Sequence, residues 1–544
     1  MTSISALLLS VFITIVLIPI FKRVAIKANS LDMPDPRKMH TTPIPRIGGL
    51  AIAIGILIPV IIWVPLNDFV RAYLMGGGIL VVFGLMDDLK GLGYKLKFLG
   101  QIIAALVIFF YGGIRITSVG SLLPGEMVLA NWFAVVLTLV VIIGVTNAVN
   151  LSDGLDGLAG GISLLGFFCI GYLAYLLGNN IIFLLSLVIS GAIFGFLRFN
   201  TYPASIFMGD TGSQLLGFSA IVLAIKITQE NTCLSPVLPL IILGFPVLDT
   251  LTVMVERMRQ GRSPFSPDKN HFHHRLITLG LFHNEAVVVI YMIQAVMCLS
   301  AILLRHYYAY QCLAGYLLFS AMTVGAFTVA DRTGFQLKRY HLLDHIIKGK
   351  LRWIRESHLI IRISFTISKL LIPLIFLFSC LIPGEIPRYV TFIALGLGVL
   401  IIAIWVFGKN LWALSLRLSL YLIIPLVLYL GHEEKAAWVS PEILMSYHIW
   451  LAVMAFFVVL TIRFSRRRQG FHVTSMDFLV LFIAVVVPNL PGMSTQGHNM
   501  GVLAVKLIVL LFSYETLITE LRGGFNALTL TTLMGLGIVA IRGV

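Results

Sequence analysis

From residue 4 to residue 541 the sequence repeats one pattern: an apolar run about long enough to cross a bilayer, then a polar gap. A hydrocarbon core of about 30 Å needs roughly 20 helical residues. Runs near 4–21, 48–65, 69–86, 98–115, 131–149, 158–177, 181–197, 213–227, 235–255, 286–304 and 309–329 predict about eleven transmembrane helices. Runs near 359–381, 389–407, 411–430, 446–463, 476–488, 501–518 and 525–541 predict about seven more. Only 12% of residues are charged and 58% are hydrophobic, against about 25% charged in a soluble domain. A β-barrel would show strands of about ten residues with alternating polarity. The expectation is therefore an all-α, polytopic membrane protein.

Lys and Arg set the orientation. They gather in alternate loops, at 22–46, 90–97, 257–275, 332–355 and 463–468. The first apolar run has no cation before it and Lys22, Arg23 and Lys27 after it. A signal peptide has the opposite polarity, so the run reads as a retained helix with its N-terminus outside and the basic loops inside. The formal net charge of +15 is thus a topology signal and does not imply nucleic acid. Cys169, Cys233, Cys298, Cys312 and Cys380 lie in or near apolar runs with no Cys-x-x-Cys spacing, so they read as small packing residues. The basic stretch 331–358 divides the chain into a core, 1–330, and an extension, 359–544. The gap 116–129 falls outside, with room for a small hairpin.

Acidic residues mark the inner face. Of the thirteen Asp and Glu up to residue 268, only Asp68, Glu126 and Glu230 fall on the outer side. Membrane insertion does not demand this, because orientation is read from Lys and Arg. Five inner segments carry the pattern: residues 30–49, rich in Pro, Arg and Lys; 84–101, with Asp87, Asp88, Lys95 and Lys97; 147–161, with Asn150, Asp153 and Asp156; 199–214, with Asp210 between glycines at a helix start; and 256–276, with His271, His273 and His274. Two carboxylates at about 6 Å repel by roughly 3 kcal/mol at an effective dielectric near 20, which a divalent cation relieves. Oxygen donors without cysteine favour Mg²⁺ or Mn²⁺ over zinc. Asp210 with Gly209 and Gly212 suits phosphate at a helix N-terminus, although a capped membrane helix has the same appearance. Three histidines in four residues beside Arg259, Arg262, Lys269 and Arg275 suit a polyanion. Asp249, inside an apolar helix, is either bonded to a threonine or functional. In the extension, SRRRQ at 465–469 reads as a topology anchor.

The ordered set of DMPDPRKMHTTPIPRIGG, MDDLKGLGYKLKFLGQ, NAVNLSDGLDGLAGG, FMGDTGSQLLG and SPFSPDKNHFHHRL resembles the polyprenyl-phosphate N-acetylhexosamine-1-phosphate transferases. The likeness is greatest to the bacterial undecaprenyl-phosphate N-acetylglucosamine-1-phosphate transferases, and it covers about residues 1–330. It implies a Mg²⁺-dependent enzyme of the bacterial inner membrane with its active site on the cytoplasmic face. Undecaprenyl phosphate would attack a UDP-N-acetylhexosamine and release UMP, as the first membrane step of a cell-surface glycan. By motif position, Asp210 is implied as the metal ligand, with Asn150 associated with metal. Asp87 or Asp88 would orient or deprotonate the lipid phosphate, and Lys97 would contact phosphates. Asp153 and Asp156 would hold the nucleotide, Phe207 would lie under the uracil, and His271, His273 and His274 would bind the diphosphate or the sugar. A homodimer is the assembly considered. A phospho-MurNAc-pentapeptide transferase is the neighbouring alternative. A transporter or flippase for lipid-linked polyanions is the alternative of a different class, although such proteins tend to place their sites at the midplane between two symmetric halves. No motif is recognised in 359–544.

Overall fold

The computed structural model describes residues 2–27, 31–32, 43–230, 233–263, 270–336, 359–407, 411–464, 478–479, 500–521 and 524–543. It is helical nearly throughout, as the apolar runs predict. Lipid offers no partner for free backbone N–H and C=O groups, so each spanning segment closes its own hydrogen bonds. Two compact units emerge: Met1–Lys338 with Thr474–Leu479, and Arg339–Val473 with Val480–Val544.

The first unit contains α1 (Thr2–Lys27), α2 (Gly48–Trp63), α3 (Asp68–Lys90), α4 (Tyr94–Phe110), α5 (Asn131–Leu151), α6 (Leu158–Leu176), α7 (Asn180–Asn200), α8 (Gly209–Gln229), α9 (Leu238–Ile242), α10 (Gly244–Arg259), α11 (Phe272–Thr278), α12 (His283–Leu303) and α13 (Ala309–Thr333). The second contains α14 (Leu359–Leu381), α15 (Arg388–Phe407), α16 (Trp412–Glu433), α17 (Pro441–Phe464), α18 (Met500–Leu521) and α19 (Asn526–Arg542). Twelve helices among the described residues are long and apolar enough to cross a membrane, eight in the first unit and four in the second.

Part of the shortfall against the eighteen expected is physical, and part falls on residues outside those described. Helix α2 has 16 residues and α4 has 17, so at 1.5 Å per residue each falls short of a 30 Å core. The run 235–255 is not one helix but two, broken at Leu243. Pro246 lacks an N–H and cannot bond the carbonyl of Ile242 four residues back. The Gln294 amide takes over: its Nε2 donates to Ile242 O at 2.6 Å and its Oε1 accepts from Phe245 N at 3.3 Å. Most of the expected span 476–488 lies outside the described residues, as does most of the basic stretch 331–358, whose first residues continue α13 to Thr333. The gap 116–129 holds two single 3-10 turns, Gly120–Leu122 and Pro124–Glu126. The paired strands found elsewhere are β1 (Leu31–Asp32) and β2 (Ile44–Pro45), which are antiparallel.

Helix α8 is the axis of the first unit: 94% of its spanning window is buried. In a bilayer, helices associate through close packing of small residues. At Gly84 of α3 an added Cβ would lie 2.6 Å from Thr211 Cα, and at Gly49 of α2 it would lie 2.2 Å from Gly212 N. These two glycines let α2 and α3 press backbone to backbone onto the first turn of α8, where Asp210 sits.

Candidate active site

The site is built on four helix ends. Helix α3 closes at Gly91, in the left-handed region at φ 67, with its N–H on Asp87 O. The chain then turns into α4, whose first turn carries Lys97. Asp87 Oδ1 accepts Leu92 N at 2.6 Å, which fixes that turn. Its Oδ2 lies 2.5 Å from Lys97 Nζ, and the same ammonium lies 2.6 Å from Asp210 Oδ2. Asp87 and Asp210 therefore face one another across a single cation, their oxygens at most about 5 Å apart. The Asn150 side chain, on the last turn of α5, lies near the Asp210 carboxylate and favours its ionised form.

Asp88, adjacent to Asp87, does something different. Its Oδ1 accepts Asp210 N at 2.8 Å, and its Oδ2 accepts Thr211 N at 3.0 Å and Thr211 Oγ1 at 2.6 Å. The first N–H groups of a helix have no intrahelical partner, and here a carboxylate from α3 caps α8 in place of a local residue. Gly209 precedes the cap at φ +71, and a Cβ there would lie 2.5 Å from Asp88 Oδ2. That explains the glycine before Asp210: it admits both the positive φ and the close carboxylate.

Asp153 hangs in the turn between α5 and α6. Its half-buried carboxylate accepts no hydrogen bond among the described residues. Burial, then the charges of Asp210, Asp156 and Asp88, push its pKa up to about 7, against the opposing pull of Arg46. Asp87 and Asp210 thus share one ammonium, and Asp88 and Asp153 lie close enough to Asp210 to add negative charge around it. Among the described residues no three His, Cys, Asp or Glu side chains form a preformed metal cage. The donor set nonetheless suits Mg²⁺, which typically takes one or two carboxylates and completes its shell with water and phosphate oxygens. Asp210, Asn150 and the uncommitted Asp153 are the groups that would hold it.

Asp156 and Phe207 lie beside this cluster in supporting positions. Asp156 Oδ2 accepts Ala204 N at 2.9 Å, and its own N–H donates to His283 Nε2 at 3.0 Å. It therefore holds the loop 201–206 that leads to Phe207. Phe207 N donates to Pro45 O at 2.8 Å and Phe207 O accepts Gly48 N at 2.9 Å, which ties the β2 strand to the entry of α8. Between them stands Arg46, ion-paired to Asp32 at 2.6 Å.

The histidines divide. His271 Nδ1 lies 2.8 Å from Asp249 Oδ2, and Phe272 N donates to Asp249 Oδ1 at 2.8 Å. The intramembrane Asp249 is therefore no partner of a threonine: it spends both oxygens on the start of α11. His273 is buried, and its ring fills the space where a Cβ on Gly154 would be, 2.4 Å from Nε2. It packs against the 153–156 turn as a neutral ring, its pKa pushed down to about 3, first by burial and then by His274. His274 is half-buried on the same turn. Of the cations expected beside the run, Arg275 pairs with Glu256, and 264–269, including Lys269, lie outside the described residues.

Sequence reasoning missed a layer beneath the charges. Gln101 Nε2 donates to Asn147 Oδ1 at 3.3 Å and to Gln214 Oε1 at 3.2 Å, and Asn147 Nδ2 donates back to Gln101 Oε1 at 2.7 Å. Gln101 is four residues from Lys97, Gln214 four from Asp210 and Asn147 three from Asn150, so each amide lies one turn deeper on the same helix face. The signal was legible as that spacing. Arg46 was also passed over, although its segment was singled out.

A bundle of membrane helices that brings carboxylates, one lysine and helix N-termini together at one end belongs to the class of enzymes that move phosphorylated groups at a bilayer surface. Residues 70–228 match the family model described as glycosyl transferase family 4. A Bacillus subtilis (strain 168) protein named probable undecaprenyl-phosphate N-acetylglucosaminyl 1-phosphate transferase is 40% identical over 302 residues, covering 55% of this chain and 84% of the relative. A Mycolicibacterium smegmatis decaprenyl-phosphate N-acetylglucosaminephosphotransferase is 36% identical over 300 residues, 49% and 73% of the two chains. A Yersinia pestis undecaprenyl-phosphate alpha-N-acetylglucosaminyl 1-phosphate transferase is 33% identical over 288 residues, 52% and 79%. The chain belongs to glycosyl transferase family 4, among the polyprenyl-phosphate N-acetylhexosamine-1-phosphate transferases.

Proposed function

We propose that the first unit transfers N-acetylglucosamine-1-phosphate from UDP-N-acetylglucosamine to undecaprenyl phosphate, releasing UMP, at the cytoplasmic face of a bacterial inner membrane. The observation that carries this is the single Lys97 ammonium held between Asp87 and Asp210 at the end of a buried helix. The names of the relatives supply the lipid acceptor and the sugar phosphate. Chemical balance then requires a nucleotide diphosphate sugar as donor and a nucleoside monophosphate as leaving group, for which the uridine nucleotides are proposed. An oxygen of the lipid phosphate attacks the β-phosphorus of the nucleotide sugar, the bond between that phosphorus and the bridging oxygen breaks, and the electron pair leaves on UMP.

Such a transfer needs positioning and neutralisation more than covalent chemistry. Lys97 offers its ammonium to phosphate oxygens as they displace one of its two carboxylates. Asp87, with one oxygen on the α3–α4 turn and one on Lys97, orients the lipid phosphate, which is already largely ionised near neutrality. Asp88 holds the first turn of α8 so that Asp210 keeps its direction. Asp156 keeps the 201–206 loop and the Phe207 ring in place for the base. The His271 ring, set by Asp249 through Nδ1, presents Nε2 as its remaining nitrogen. Mg²⁺ bound by Asp210 with Asn150 and Asp153 would neutralise the diphosphate.

The test is purified protein with undecaprenyl phosphate and a panel of UDP-sugars, with Mg²⁺ or with chelator, reading UMP. Release of UMP from UDP-N-acetylglucosamine that requires both lipid and Mg²⁺ is expected. Turnover in chelator, or none with any UDP-sugar, would refute the reading.

A further inference from the structure

The second unit holds a buried cation with no counter-ion among the described residues. Lys506 on α18 is 8% exposed. Its Nζ stands 5.3 Å from the centre of the Tyr447 ring. That ring is fixed in turn by stacking on Phe378 at 5.6 Å and by a 2.9 Å hydrogen bond between the Tyr447 and Ser379 hydroxyls. Among the described residues no carboxylate pairs with Lys506, and the charged side chain that bears on it is a second cation, Lys435. His448, next to Tyr447 on α17, feels the same two lysines. Its Nε2 is buried and has no hydrogen-bond partner among the described residues.

These groups lie near one end of the unit. Gly384 N donates to Glu434 O at 2.8 Å and Ala436 N to Ile382 O at 2.9 Å, clasping the two connecting segments there. Lys506 is six residues into α18 and Tyr447 six into α17, about 9 Å of helix rise. In a spanning helix that is the depth of the headgroup region and the outermost acyl carbons.

Removing an ammonium from water is costly even after relaxation. A cation–π contact returns only part of that cost, and Lys435 adds repulsion. Ionisable groups buried within membrane helices tend to be functional. Two ammonium groups and an unbonded imidazole nitrogen call for a compact anion rich in oxygen. We propose that Lys506, with Lys435 and His448, binds the phosphate of a lipid headgroup at this end of the second unit. A membrane-borne phosphate fits the position, because Lys506 and Tyr447 both lie about 9 Å of helix rise from the ends of apolar helices.

The test uses the full-length chain in neutral detergent. Native mass spectrometry counts lipid retained after addition of phosphatidylglycerol, or of diacylglycerol with the same acyl chains. Wild type and K506R should retain the phosphate lipid and not the diacylglycerol, while K506Q should retain about tenfold less, a loss near 1.4 kcal/mol. Lys435 is exposed, so K435Q removes a charge without disturbing the packing and should lower retention several-fold. Wild-type retention by K506Q, or by K435Q where K506Q fails to fold, overturns the proposal. So does complete displacement of the lipid by millimolar inorganic phosphate, which would assign the site to a soluble anion.

Discussion

Adjacent aspartates with opposite jobs give a sharp test. Asp88 accepts three hydrogen bonds from the first turn of α8, whereas Asp87 accepts one from Leu92 N and shares Lys97. In Asp88→Asn, an amide NH₂ must replace one oxygen, so donor faces donor at Asp210 N or at Thr211. A charge-assisted bond is lost and a buried N–H is left unsatisfied, together about 2–3 kcal/mol. On the scaling of soluble domains, for a unit the size of the first, that lowers Tm by roughly 3–4 °C. Asp87→Asn keeps an acceptor for Leu92 N and sets its NH₂ toward Lys97, which retains Asp210 as its partner, so its cost is about 1 kcal/mol. It also relieves repulsion between Asp87 and Asp210. Both variants should lose most UMP release, but only Asp88→Asn should melt early. Thermal unfolding of each in detergent, beside the UMP assay, reads both quantities. An unshifted Tm for Asp88→Asn, or a larger drop for Asp87→Asn, would refute the capping role.

Asp210→Asn should abolish UMP release at every Mg²⁺ concentration; wild-type turnover would remove it from the site. Gln214→Leu should leave Gln101 without one of its acceptors and lower kcat about tenfold with little change in KM, while Gln214→Glu should restore part of it; equal loss in both would mark the amide layer as packing only. Asp249→Asn should unseat His271 and reduce turnover by more than tenfold, which the same assay checks. His273 is neutral when folded, with a pKa near 3, and near 6.5 when unfolded. The unfolded chain therefore binds the extra proton, so this contribution is intact above about pH 6.5 and declines as pH falls towards 3, with roughly 2 kcal/mol of it lost by pH 5. The stability difference between pH 7 and pH 5 should shrink in His273→Asn, and an unchanged difference would contradict it.

The sequence exposed most of the fold because length and hydropathy are local properties. Runs of about 20 apolar residues gave the helices, and the bias of acids to one side marked one end of the bundle. Where it failed, the cause was a partner distant in sequence. Pro246 splits a run that hydropathy reads as continuous, because the freed carbonyl of Ile242 finds Gln294, 52 residues on. Asp249 read as open between two fates because His271 is 22 residues away.

The composition of the site was therefore fixed by the chain itself: Asp87, Asp88, Lys97, Asn150, Asp153 and Asp210 stand at helix ends because membrane helices must end in water. Their division of labour was not. Lys97 meets Asp210 across 113 positions and Asp88 meets Thr211 across 123. Only the close approach of α2, α3 and α8 through glycine decides that one aspartate caps a helix while its neighbour shares an ammonium. Spacing reports which face of a helix a residue occupies, but a hydrogen bond depends on tenths of an ångström that packing alone supplies.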